Sequence, residues 1–200
     1  MAEQYFAQEP HAEHDIHEIE FNLADLNLHL KTDAGVFSKS RIDYGSVALM
    51  KQVMELDLVP GKILDLGTGY GPMGLMLAKK YPERALDLVD VNERALELAR
   101  TNAEFNAITN VNIFTSDIYE TVTERYALIV TNPPIRAGKK VVNQIHEQAL
   151  DHLLSGGQIV TVLQKKQGAP SARKLLTATF GNCDILARDK GYYILRSVKQ

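Results

Sequence analysis

The 200-residue chain has one cysteine, Cys183, so no internal disulfide can form, and the lone thiol fits a reducing compartment. No apolar run is long enough to cross a bilayer. Residues 1–20 are acidic and rich in histidine, with neither a basic stretch nor an apolar one. They do not read as a secretory leader, and a cytoplasmic protein is expected. Repeats and low-complexity linkers are missing. So is excess positive charge. With 22 Lys and Arg against 25 Asp and Glu, the net charge is -3, which argues against indiscriminate nucleic-acid binding but leaves room for a local basic face. No order of Ser, His and Asp, or of Cys and His, suggests covalent catalysis. No paired carboxylates suggest glycoside chemistry. What is present is 45% hydrophobic residues, enough for one domain with its own core.

That apolar content is patterned. Ile19, Phe21 and Leu23, then Leu26, Leu28 and Leu30, alternate with period two and predict two short strands, each with one buried face. Val47, Met50, Val53, Met54 and Leu58 have helical spacing, which Pro60-Gly61 stops. Strands are then predicted at 63–66, 86–89, 111–115, 128–131 and 158–163. Helices are predicted at 73–81, 93–106, 141–154 and 172–180. Strands alternating with helices imply an α/β fold, a doubly wound, mostly parallel sheet with helices on both faces. The end breaks the rhythm, because 184–187 and 192–195 flank Asp189-Lys190-Gly191, the chemistry of a hairpin turn.

Asp65-Leu66-Gly67-Thr68-Gly69-Tyr70-Gly71 follows the first strand of this series and opens a helix. Glycines there let the backbone turn sharply and approach a ligand closely. Gly69-x-Gly71-x-x-Gly74 also satisfies the dinucleotide pattern, so the loop alone leaves the nucleotide open. Charge helps to choose. A dinucleotide sets its pyrophosphate over such a loop, and Asp65 would place a carboxylate near that anion. S-adenosylmethionine instead carries a sulfonium and an ammonium, which a carboxylate favours. A buried strand-end Asp that only caps backbone N–H groups is the plain alternative. Asp90 closes the next strand, where a carboxylate can accept both ribose hydroxyls, with Val91 and Asn92 beside it. Asp117 and Ile118 follow the third strand, where an adenine amino group and ring would lie.

Asn132-Pro133-Pro134-Ile135 comes directly after the fourth strand. With the glycine loop and the acidic strand ends, it resembles the class I methyltransferases that act on planar amino groups. An exocyclic amine is a poor nucleophile because its lone pair is delocalised into the ring. Two acceptors gripping its hydrogens favour a localised pair, and the Asn132 side-chain oxygen and the Pro133 carbonyl can serve. Neither Pro133 nor Pro134 offers a competing N–H, and both stiffen the loop. Most such motifs end in an aromatic residue that stacks on the base. Ile135 can pack there but forfeits ring-on-ring stacking.

Gly35-Val36-Phe37-Ser38 and Asp43-x-Gly45-Ser46 narrow the resemblance to RsmC-type enzymes, which methylate the N2 amine of a guanine in small-subunit ribosomal RNA. It runs from roughly Glu18 to the C-terminus and points to a single-domain branch. It implies a Rossmann-like methyltransferase fold with a C-terminal antiparallel hairpin and a short N-terminal β extension. The expected organisation is one domain over 1–200: a polar terminus at 1–17, an extension covering the site at 18–60, and a cofactor-binding core at 61–200. Further implications are S-adenosylmethionine as cofactor, held by Asp65, Gly67, Thr68, Gly69, Gly71, Asp90, Val91, Asn92, Asp117, Ile118 and Asn132. Catalysis would fall to Asn132, Pro133, Pro134 and Ile135. Ribosomal RNA or the small subunit would be the partner, met by Phe37 and Ser38 in a loop over the site mouth. Arg136, Lys139 and Lys140 follow the fourth strand, and Lys165, Lys166, Arg173 and Lys174 the fifth. Both clusters should rim the cleft beyond the strands' carboxyl ends and offer RNA phosphates a basic face, unless they are solvated helix charges. A glutamine carboxamide in a protein would fit the same acceptors, and an NAD-dependent oxidoreductase the same glycines. His11, His14 and His17, in a polar terminus without cysteine, are not expected to hold a metal.

Overall fold

Period-two burial organises the sheet. The computed structural model describes residues 15–33 and 42–200. Its seven-stranded sheet contains β3 (Ile63–Leu66), β4 (Leu86–Asp90), β5 (Val111–Thr115), β6 (Tyr126–Thr131), β7 (Leu153–Gln164), β8 (Asp184–Asp189) and β9 (Tyr192–Val198). The spatial order is β5-β4-β3-β6-β7-β9-β8. The first five strands pair in parallel, and β9 lies antiparallel to both β7 and β8. This is the Rossmann-like methyltransferase arrangement with antiparallel C-terminal strands, as expected. Lys190 and Gly191 both have positive φ, as a two-residue hairpin turn requires.

Alternate residues divide two cores. Ile63, Leu128, Val130 and Val160 face one side. They pack with α1 (Tyr44–Val53), α2 (Pro72–Lys80), α3 (Glu93–Phe105) and the N-terminal hairpin. Leu64, Leu66, Ile129 and Ile159 face the other side and meet α4 (Lys139–Gln148) and α5 (Ala169–Phe180). The chain starts at β3 and winds outward to β5, then returns to β6 on the opposite flank. The gap between β3 and β6 is the point where strand order reverses, and ligands settle beyond the carboxyl ends of strands at such points.

The hairpin is built from β1 (His17–Leu23) and β2 (Leu26–Thr32), in a register pairing Ile19 with Leu30 and Phe21 with Leu28. Phe21, Leu23, Leu28 and Leu30 are buried against the first core. The other edge of β2 is closed by two carboxamides one turn apart on α3. Asn102 accepts from the Lys31 amide at 2.7 Å and donates to its carbonyl at 2.9 Å. Asn106 does the same for His29, at 3.0 and 2.7 Å. Two side chains thus replace a neighbouring strand and leave no raw edge there. Asn102 also donates to the carbonyl of Tyr70, 3.0 Å away, tying the hairpin to the glycine loop. A largely buried ion pair, Arg94 to Asp33 at 2.7 Å, fastens the end of β2.

Two helix ends differ from the sequence expectation. The first helix stops at Val53 rather than near Leu58. Beyond it, the Arg84 guanidinium takes the carbonyls of Leu58, Val59 and Gly61 at 3.3, 2.8 and 2.9 Å, bonds that a helix would have kept for itself. The fourth helix stops at Gln148, and Leu153 already pairs with Tyr126 as strand. Leu150, Leu153 and Leu154 continue a helical spacing by coincidence. Pairing then shifts between Tyr126 and Leu128, so 154–157 bulge out of the ladder. Gly157 sits in that bulge because a Cβ would come within 2.7 Å of the Tyr126 carbonyl.

Candidate active site

At the strand-order reversal lies a cavity of about 380 Å³, within the range of small-molecule sites. Its floor is the turn after β3. Gly67, Gly69 and Gly71 have φ of 76°, 58° and 94°, a region that side chains disfavour. A Cβ at Gly67 or Gly69 would meet nothing within 4 Å, so the bare backbone faces open space. At Gly71 a Cβ would strike Leu75 at 2.9 Å, and the glycine there serves packing.

Asp65 and Asp90 hold this turn from two sides. Asp65 is fully buried and lies outside the cavity lining. Its Oδ2 accepts from the Thr68 hydroxyl and the Gly74 amide, both at 2.7 Å. Burial raises its pKa to about 7, partly offset by those two bonds. Asp90 lines the cavity. Its Oδ2 accepts from the Gly69 amide at 2.8 Å and its Oδ1 from the Asn92 amide at 3.0 Å. Burial raises its pKa too. Asn92 caps α3, its side chain accepting from the Ala95 amide at 3.2 Å. Val91, Asn92, Asp117 and Ile118 all line the cavity. Ile118 has φ of 51°, and the Ser116 hydroxyl, bonded to its carbonyl at 3.0 Å, supports that turn.

The opposite wall is Asn132-Pro133-Pro134. The Pro134 carbonyl is engaged by the Ala137 amide at 2.9 Å. The Pro133 carbonyl and the Asn132 Oδ1 accept from no described residue. Ile135 departs from expectation. It begins a single 3-10 turn, Ile135–Ala137, where it is half-buried against the second core and is not among the residues that line the cavity. Ala137, Val141 and Ile145 supply the apolar wall instead. Arg136, Lys139 and Lys165 are exposed at the carboxyl ends of β6 and β7, outside the cavity lining. Phe37 and Ser38, like His11 and His14, lie outside the described residues.

Sequence reasoning overlooked three more groups that line the cavity. Asp43, Ser46 and Tyr70 line the cavity. The Asn132 amide nitrogen donates to Asp43 Oδ2 at 3.0 Å and to Ser46 Oγ at 2.9 Å. Asp43 and Ser46 stand 89 and 86 residues from Asn132 in the chain, and no local pattern announces such a pairing. Among the described residues, the ionisable side chains lining the cavity, apart from the Tyr70 phenol, are Asp43, Asp90 and Asp117. No Lys, Arg or His joins them.

Comparison with known proteins adds to this geometry. The family model described as methyltransferase small domain matches residues 27–196. The uncharacterised protein YbxB of Bacillus subtilis is 44% identical over 201 residues, spanning both chains in full. Ribosomal RNA small subunit methyltransferase C of Hamiltonella defensa is 34% identical over 175 residues. That match covers 86% of this chain but only 50% of the relative. The 16S rRNA N2 methyltransferase RsmC of T. thermophilus, solved with AdoMet and guanosine, superimposes with a TM-score of 0.83 at 25% identity. It covers 92% of this chain and 51% of that one.

Proposed function

The chain belongs to the methyltransferase small domain family, and from that premise we propose that it methylates the N2 amine of a guanine in small-subunit ribosomal RNA, using S-adenosylmethionine. The observation that carries the choice of cofactor is the cavity's charge: three carboxylates and no basic side chain among the described lining residues. A pyrophosphate would be repelled there, whereas a sulfonium and an ammonium are attracted. The open space over Gly67 and Gly69 leaves room for a ligand against bare backbone. Asp90 keeps lone pairs for two ribose hydroxyls beyond those its backbone bonds use.

S-adenosylmethionine supplies an electrophilic methyl group on sulfur. Asn132 Oδ1 and the Pro133 carbonyl accept the two hydrogens of the target amine. They direct its lone pair along the line of displacement and hold the two reactants at attack distance. The cofactor would give up its methyl group and leave as the neutral thioether, and the surplus amine proton would pass to solvent. Val141 and Ile145 give the base an apolar wall. The basic residues beyond β6 and β7 hold flanking phosphates. RNA as substrate draws further support from the two ribosomal RNA methyltransferases named above, of which the chain spans about half the length. A cytoplasmic location accords with that substrate.

The test is transfer of radiolabelled methyl to ribosomal RNA from cells lacking this protein, followed by nucleoside mapping. Label in N2-methylguanosine of the small-subunit RNA is the expected result. Label in a protein glutamine, or none in RNA, overturns the assignment. In calorimetry the protein should bind S-adenosylmethionine and its demethylated product, and not NAD.

A further inference from the structure

An amide at position 132 has two ends that differ by one atom type, and only the oxygen end can grip an amine. Oδ1 and Nδ2 are nearly the same size, so packing alone would not choose between them. Asp43 chooses. An ionised carboxylate only accepts hydrogen bonds, and its Oδ2 lies 3.0 Å from the Asn132 amide nitrogen, with Ser46 Oγ on the same nitrogen at 2.9 Å. Both hydrogens of the amide are consumed, and the oxygen is left for the cavity.

We propose that Asp43 and Ser46 are positioning residues for methyl transfer: they lock the Asn132 amide with its oxygen toward the target amine, and the Asp43 charge strengthens that oxygen as an acceptor. A carboxylate drawing on the N–H bonds pushes electron density through the amide to its oxygen, since linked hydrogen bonds polarise one another. The inference rests on the reading of Asn132 as amine acceptor.

The fold gives the pair a firm seat. Asp43 caps α1, its Oδ2 also accepting from the Ser46 amide at 3.2 Å. Gly45 makes room, because a Cβ there would lie 2.9 Å from both Asp43 Oδ2 and the Tyr192 ring. The Tyr44 hydroxyl donates to the Asp189 carboxylate, and the Lys190 ammonium stands 4.4 Å from the centre of the Tyr44 ring. The start of α1 is thus pinned to the β8–β9 turn and aimed at β6.

Four variants test this, each measured for turnover on ribosomal RNA, for S-adenosylmethionine affinity by calorimetry and for melting temperature. S46A removes one of the two acceptors and should lower turnover a few-fold. D43S keeps a helix cap but cannot reach Asn132, and should lower turnover about tenfold or more. Cofactor affinity should stay within about threefold in both. N132D sets a second carboxylate against Asp43, and should lose melting temperature as well as turnover. D43N/N132D exchanges the two groups and restores one donor facing one acceptor, so melting temperature should return toward the parent and turnover rise about tenfold above N132D. A double variant no better than N132D in either measure overturns the proposal. So does D43S with parent turnover, or with cofactor affinity reduced as much as turnover, which would make Asp43 a cofactor ligand. The melting-temperature coupling tests the 43–132 bond without any methyl transfer. Its success alongside an inactive parent would sink the RNA reading and leave the amide lock standing.

Discussion

The two walls of the cavity are assembled by different means. On the glycine side, Asp65 reaches Thr68 and Gly74, three and nine residues on, and Asp90 reaches Gly69 and Asn92, 21 and two residues away. Those groups lie within one β-α-β stretch, and their carboxylates spend bonds on the backbone of the turn itself. On the Asn-Pro-Pro side, Asn132 depends on Asp43 and Ser46 across 89 and 86 residues, and Tyr44 on Asp189 across 145. One wall can form as its segment folds. The other exists only after α1, β6 and the terminal hairpin have met. A site divided this way should let cofactor binding and methyl transfer be damaged separately.

The largest separation is expected from Asn132→Ala. The glycine wall is untouched, so S-adenosylmethionine affinity should stay within a few-fold. Turnover should fall about 10²-fold, the scale set by misplacing reactants by roughly 1 Å. Equal losses in affinity and turnover would erase the division.

Asp90→Ala should do the reverse. On the proposed reading it would remove two hydrogen bonds to ribose, besides those that the Gly69 and Asn92 amides donate to the carboxylate, and hydrogen bonds to charged groups contribute about 1.5–3 kcal/mol each. Cofactor affinity should drop by more than about tenfold, while saturating cofactor restores much of the turnover. An unchanged dissociation constant would place the ribose elsewhere.

Asp65 belongs to the glycine wall but points away from the cavity, and its substitution should register in stability. Its pKa is raised to about 7 by burial, from an ordinary value of 3.8. Across that interval the folded state holds a proton that the unfolded state has lost. Its contribution is therefore complete below about pH 4 and is lost as pH rises through about 7. Asp65→Asn cannot titrate and should flatten the fall in melting temperature between pH 5 and pH 8, fixed test points on either side of about pH 7. A slope identical to the parent's would mean that another group carries it.

The smallest effect per residue is expected at the rim. Replacing Lys139, Lys140, Lys165 and Lys166 with alanine should leave cofactor affinity alone. It should reduce the salt dependence of RNA binding by about 0.7 logarithmic units for each phosphate that is no longer neutralised. If the slope survives all four changes, these lysines serve solubility.

The same division explains what can be read in advance. The glycine turn, Asp90, Asn92 and Ile118 lie on strand ends that periodicity locates, and the Asn-Pro-Pro loop follows its strand without a gap. Asp43 and Ser46 can be noticed only as part of a resemblance, because their partner is far away in sequence. Asp65 is legible both as a cofactor carboxylate and as a buried cap of the turn, and its bonds to Thr68 and Gly74 match the second. Ile135 reads as a cavity residue because it follows Pro134. The 3-10 turn that removes it rests on the Ala137 amide reaching back to Pro134, which no composition rule marks. The overrun at the fourth helix has the same origin. Leu150, Leu153 and Leu154 keep the spacing of a helix, and the ladder to Tyr126 overrides it.

The carboxamide closure of β2 also orders events in time. His29 and Lys31 are synthesised 77 and 71 residues before the asparagines that complete their hydrogen bonds. At translation rates of about 5–20 residues per second, that interval is roughly 4–15 seconds. An isolated two-stranded hairpin is at best marginally stable in water. Through that delay the outer edge of β2 has no partner, although α1 and α2, which share its core, are already made, and the hairpin is closed only when α3 has emerged. The hairpin is therefore held in place only after a further 71 to 77 residues have been made.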